Sequence, residues 1–261
     1  MLALALLFAG GGFYLYNLDR MLKSDLQKGQ DLVAHGKYQR AIGTFRAIHD
    51  RHPDHPLAPR ALFEAGQVLN LYLQRYPEAL LTFLLVEKDY PDSAPARQAQ
   101  RQLAEIYKYR LRNYSEAVVA YQRLLDGGVA DGDRIQYEIA DAYFRLGNFE
   151  QARIEFEGLL KNWPDSALVS EVRYRIAATY ALDGDLSAAE KAYRGFLRDH
   201  AADPFAPEAA FGLAEVLEQK DELVAALKIL EGLEGRYANP GVLGKKIDQI
   251  KDRIGKKKKA I

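Results

Sequence analysis

The sequence predicts an all-α protein: a solenoid of about six helix pairs closed by a capping helix and preceded by an N-terminal transmembrane helix. Three observations carry this prediction. Small and aromatic residues recur together every 35 to 38 residues over most of the chain. Among the 261 residues, 16 Tyr and 11 Phe stand against 6 Ser and 3 Thr, which favours aromatic-packed helices over strands and polar turns. Finally, the first 18 residues carry no charged side chain.

Composition also removes whole classes of function. The 36 Lys and Arg balance the 36 Asp and Glu, so the electrostatic footprint of a nucleic-acid binder is missing and no nucleic-acid partner is expected. With no Cys there is no disulfide, thiolate nucleophile, zinc ribbon or acylated lipoprotein cysteine.

Residues 1–18, MLALALLFAGGGFYLYNL, span roughly 27 Å as a helix, close to the hydrocarbon thickness of a bilayer. Tyr14 and Tyr16 fall where an interfacial belt would sit, and Asp19, Arg20 and Lys23 return the chain to water. No basic region precedes the apolar run and no A-x-A site follows it, so a retained anchor in the inner membrane is expected rather than a cleaved signal. The competing reading is a buried first helix, which Gly10-Gly11-Gly12 disfavours in water. The soluble domain is expected in the periplasm, with the cytoplasm as the alternative. Arg20, Lys23 and Lys28 after the span favour a cytoplasmic domain, whereas a basic start further upstream would place the domain in the periplasm.

The repeat aligns on Ala41, Ala79, Ala117, Ala152, Ala189 and Ala226. Three residues earlier stand Tyr38, Tyr76, Tyr114, Phe149, Leu186 and Leu223; four later stand Phe45, Phe83, Tyr121, Phe156, Tyr193 and Leu230. Twelve or thirteen residues upstream lie Gly29, Gly66, Ala104, Ala140, Ala177 and Ala214, each followed three later by a large side chain. Small and large residues three apart share one helix face, which admits a close neighbour and then grips it, so each unit reads as a helix pair. Gly36, Gly147 and Gly184 mark the turn inside three units, and the second and third units carry one extra residue there.

Pro53, Pro91 and Pro164 end the second helices of their units. In YPDS (90–93) and WPDS (163–166), Asp and Ser can accept from the free N–H groups of the next helix, while the third unit ends instead in Asp126-Gly127-Gly128. The units run about 24–56, 57–94, 95–130, 131–167, 168–204 and 205–241, giving a solenoid over 19–241. Leu243, Ile247, Ile250 and Ile254 then form the apolar stripe of a capping helix over 242–255, and 256–261 form a basic tail.

These features resemble the tetratricopeptide repeat (TPR): the helix-pair length, the small-x-x-large pattern, the central Ala with an aromatic four on, and the closing Pro. The usual Trp of the first helix is absent, and the units exceed the standard 34 residues. Longer units with YPDS-like ends are similar to periplasmic repeat proteins of Gram-negative bacteria, of the outer-membrane-assembly and Tol-associated types. The resemblance implies a right-handed superhelix whose first helices line a concave groove for a partner protein or peptide. By that analogy Phe63, Arg101, Tyr137, Tyr174 and Phe211 face the groove, with Gln67, Glu105, Asp141 and Glu215 as polar neighbours. Packing against the adjacent repeat is the alternative role for the aromatic members.

Catalytic frameworks are missing from the sequence: there is no P-loop, no G-x-S-x-G and no Gly-rich loop after a strand. The His49-Asp50-Arg51-His52-Pro53-Asp54-His55 run holds possible metal ligands, but Pro53 breaks helical spacing and the run falls on an inter-repeat turn. The expectation is therefore a non-enzymatic, membrane-anchored scaffold of a cell-envelope complex, without cofactor or metal. A cytoplasm-facing regulator at the inner membrane and self-association are the alternatives, with a metal-dependent enzyme at the His cluster as a third.

Overall fold

In a computed structural model, which describes residues 15–259, the chain is helical throughout. Its two compact units are Met1–Gly127 and Gly128–Ile261. The first holds α1 (Leu2–Ala34), α2 (Tyr38–Arg51), α3 (Ala58–Gln67), α4 (Tyr76–Asp89), α5 (Ala94–Glu105) and α6 (Tyr114–Asp126). The second holds α7 (Gly132–Arg145), α8 (Phe149–Asn162), α9 (Val169–Asp183), α10 (Leu186–Asp199), α11 (Ala206–Gln219), α12 (Leu223–Glu231) and α13 (Pro240–Lys259). Within each unit consecutive helices pack on one another, and alternate first helices touch as well, α3 with α5 and α9 with α11. The apolar run expected to cross a membrane lies almost wholly outside the described residues. Among the described residues, no helix is long and apolar enough to cross one.

The two aligned columns form the core. All six central alanines are fully buried, and so are Phe45, Phe83, Phe156 and Leu230; Tyr121 and Tyr193 are nearly so. The small residue on the first helix is there for the ring on the second: a Cβ on Gly66 would lie 2.6 Å from the Phe83 ring, and one on Gly29 would press closer still on Phe45. Close packing of this kind leaves no room for a methyl group.

Each pair turns at a left-handed residue five positions before its central Ala. Gly36, Gly147 and Gly184 take this conformation, and so do Gln74, Arg112 and Asp221, with φ of 53°, 53° and 65°. The extra residue of the second and third repeats is absorbed just before the turn, where Val68–Tyr72 and Ile106–Arg110 wind as π-helix. There Leu73 N–H reaches Val68 O at 3.2 Å and Leu111 N–H reaches Ile106 O at 3.0 Å, bonds one residue longer than in an α-helix.

The second helices stop where the sequence placed prolines. His52, Tyr90 and Trp163 each precede Pro and leave the helical region at φ near −135°. Ser93 caps α5 by accepting from Ala96 N–H at 3.1 Å. Ser166, Asp203 and His55 serve the entrances of α9, α11 and α3 in a related way, accepting the N–H of Leu168, Phe205 and Leu57.

At the C-terminal end α13 buries Leu243, Ile247 and Ile250. It does not stop at residue 255, because Lys257 pairs with Asp221, while Lys246 and Arg253 hold Glu218 at 2.7 and 2.8 Å. Residues expected to form a separate basic tail therefore begin as the last turn of this helix, which runs through Lys259.

Candidate functional site

The side chains proposed from sequence for the groove separate into core, network and cavity. In the first unit, Phe63 is 8% exposed with its ring 5.5 Å from that of Phe83, so it serves the core. Arg101 and Gln67 are half-buried on α5 and α3, and Glu105 accepts from Gln102 Nε2 at 3.2 Å.

In the second unit, Tyr137 and Asp141 of α7 join a network centred on Arg175 of α9. The Tyr137 hydroxyl donates to the Glu171 carboxylate, and burial followed by this bond pushes its pKa up. Arg175 lies 3.5 Å from Asp141 and 3.7 Å from Glu171, with its guanidinium 5.4 Å from the centre of the Phe144 ring and 6.0 Å from that of Tyr137. Asp141 is also held by Arg145 Nε at 2.8 Å.

Tyr174, Phe211 and Glu215 line a cavity of about 400 Å³ between α9 and α11. Tyr174 stacks on Phe205 at 5.7 Å, and Phe211 stacks on Tyr237 at 4.8 Å from the segment before α13. Tyr193 forms part of the wall because Gly212 lets it approach; a Cβ there would meet its hydroxyl at 2.6 Å. Burial raises the pKa of Tyr174, Tyr193 and Tyr237, with nearby carboxylates adding to the effect, so all three are neutral hydroxyls at neutral pH. The cavity's acids are Glu208 and Glu215. Glu215 lies 3.5 Å from Lys246 Nζ, whereas a buried carboxylate oxygen of Glu208 accepts no hydrogen bond.

Sequence reasoning missed Phe144, Tyr193, Glu208, Gly212 and Tyr237. Gly212 could have been found, because a glycine inside a helix costs propensity and asks for a close neighbour. Tyr237 lies outside the repeat pattern and carries no such signal.

The His49–His55 run is accounted for locally. His49 lies 3.0 Å from Asp50 and 3.2 Å from Asp89 and packs edgewise on Tyr90, while His55 sits at the entrance to α3. Among the described residues, no three His, Cys, Asp or Glu side chains gather as a metal site. A larger recess of about 520 Å³, edged by Arg173 and Lys191, contains none of the residues selected from sequence.

A sequence profile of the tetratricopeptide repeat matches residues 26–94, 106–167 and 174–240. The chain belongs to the tetratricopeptide repeat family. Proteins of this family are typically non-enzymatic scaffolds. Among solved structures the chain is similar to a tetratricopeptide repeat protein from Parabacteroides merdae, with a TM-score of 0.57 at 19% identity over 88% of this chain and 86% of that one. It is also similar to PilW, described as a widely conserved type IV pilus biogenesis factor (TM-score 0.53, 14% identity, 87% of this chain and 98% of that one). YrrB, a TPR protein with an unusual peptide-binding site, gives a TM-score of 0.54 at 14% identity, over 78% of this chain and 97% of that one. At these identities the likeness is one of fold. No curated protein matches the chain by sequence.

Proposed function

We propose that this protein is a membrane-anchored TPR scaffold that holds an extended segment of a partner protein of a bacterial cell-envelope complex. The observation that carries the binding role is the cavity between α9 and α11, where the rings of Phe144, Tyr174, Tyr193, Phe211 and Tyr237, from five different segments, line about 400 Å³. Tyr and Phe in such a setting offer large contact area at little conformational cost. The family supplies the mode, an extended peptide or helix laid along first helices. A peptide-binding site is known by description for YrrB, and the same kind of ligand is proposed here.

Anchoring rests on the uncharged run 1–18, and the periplasmic placement rests on the likeness of the longer repeat to periplasmic proteins. The lysine and arginine distribution favours the second reading, a cytoplasm-facing regulator at the inner membrane.

Two measurements test the proposal. Partner capture by the full chain in detergent is expected to fall strongly in Phe211→Ala with helicity unchanged; undiminished capture would remove the cavity from the binding mechanism. A reporter fused after Ile261 and active on one side of the membrane assigns orientation. A signal in neither compartment's membrane fraction would sink the anchor.

A further inference from the structure

The cavity between α9 and α11 has an internal counterpart one repeat earlier, where a cation and its supporting side chains fill the corresponding place. Residues 37 apart occupy equivalent places in α7, α9 and α11: Tyr137 corresponds to Tyr174, and Glu171 to Glu208. At the earlier position the acid accepts from the Tyr137 hydroxyl and is ion-paired at 3.7 Å with Arg175, one helical turn along. At the later position Gly212 stands where Arg175 would be, and Glu208 has neither partner. The other two neighbours of Arg175 are trimmed as well: Asp141 becomes Ala178 and Phe144 becomes Ala181. Ala178, Ala181 and Gly212 all line the cavity. The void is thus the volume that Arg175 and its supports fill in the preceding repeat.

Resting on the binding role proposed above, we infer that this cavity receives an arginine side chain from an extended segment of the partner protein. The guanidinium takes the place held internally by Arg175, pairing with the orphaned Glu208 oxygen and lying against the Tyr174 ring. An arginine suits the site better than lysine, because a planar guanidinium can stack on a ring while donating in its own plane to a carboxylate. The cations already nearby do not fill the role: Arg175 is engaged with Asp141 and Glu171, and Lys246 pairs with Glu218 and Glu215. A buried carboxylate oxygen without a donor is costly, and a charged donor from outside relieves that cost.

The test uses the full chain in detergent micelles with ring-labelled tyrosine and two Gly/Ser nonapeptides, one with a central arginine and one with the isosteric neutral citrulline. The arginine peptide is expected to shift the signals of Tyr174, Tyr193 and Tyr237 and the citrulline peptide to bind at least about tenfold more weakly. Glu208→Gln, which keeps shape and removes charge, is expected to abolish the difference between the two peptides. Ala181→Phe, which restores the ring of the earlier repeat, is expected to block both. Equal binding of the two peptides at these tyrosines would overturn the arginine assignment and leave the cavity as a peptide site. Persistence of the arginine preference in Glu208→Gln would overturn it too, as would the absence of any shift at millimolar peptide. In the last case, loss of partner capture in Phe211→Ala would still uphold the binding role, and retained capture would end both.

Discussion

The second and third repeats differ from the fourth and fifth in one residue each, and that residue changes how the helix pair turns. In the fourth and fifth, twelve residues separate the small position from the central Ala, and Gly147 and Gly184 make the left-handed turn. In the second and third, thirteen residues separate them, the first helix ends in a π-helical segment, and Gln74 and Arg112 adopt φ of 53° without being glycine. Both routes deliver the central Ala to the same buried place, and all four alanines are fully buried. Core packing therefore fixes the register, and the turn absorbs whatever length the sequence supplies. The π-helical route also leaves Leu71, Tyr72 and Tyr109 about half exposed and buries Lys108, whereas the regular route leaves a single leucine about half exposed before each turn, Leu146 and Leu182.

The sharpest way to break this comparison is at the small position. Gly66→Ala forces a methyl group onto the buried Phe83 ring, and overpacking of this kind costs about 1–3 kcal/mol. The fourth repeat already holds Ala140 there, so Ala140→Gly loses packing and helix propensity, of which propensity alone is about 1 kcal/mol. Urea unfolding monitored by circular dichroism checks both. A neutral Gly66→Ala would mean that Phe83 is free to move aside and that the pair is not close-packed.

The turn residues give a test whose sign reverses between repeats. Gly147→Ala and Gly184→Ala place a Cβ in the left-handed region and are each expected to destabilise by about 1 kcal/mol. Gln74→Gly and Arg112→Gly remove the same strain, and each is expected to stabilise by up to about 1 kcal/mol, less the entropy that glycine restores to the unfolded chain. Melting temperatures of the four variants decide it. Destabilisation in all four would show that the π-helical turns do not carry the strain assigned to them.

The repeat itself was legible because its signal is periodic: a buried column must recur at fixed spacing, and one sequence displays six copies of it. Helix ends were legible where Pro or Gly does the work, as at Pro91 and Gly184, and illegible where a left-handed residue carries a side chain, as at Gln74 and Asp221. The extra residue was visible, but a π-helical winding follows from how the neighbouring helix grips it, which no local pattern records. The candidate site was half legible. Tyr174 and Phe211 follow from register, while Phe63, equally in register, is core, because exposure depends on what the next element covers. The orphaned state of Glu208 was hidden for a different reason: it is a difference between repeats, and alignment on what repeats share passes over it.

The smallest expected effect compares the two YPDS-type helix stops through ionisation. Tyr90 in the first unit donates its hydroxyl to Pro53 O at 3.0 Å, and burial, with Asp89, Asp54 and Asp50 nearby, raises its pKa from 10.0 to about 12. Trp163 takes the corresponding place in the fourth repeat and cannot ionise. A pKa raised on folding means that the folded state holds the proton more tightly. The contribution is therefore complete below pH 10 and is lost as pH rises through about 12. Tyr90→Phe is expected to flatten the fall in stability between those two values and to remove one late-ionising tyrosine from the ultraviolet titration, while Trp163→Phe leaves the alkaline slope unchanged. An unaltered slope in Tyr90→Phe would place the alkaline sensitivity in the other tyrosines whose pKa burial raises, among them Tyr107 in the first unit and Tyr137, Tyr174 and Tyr193 in the second.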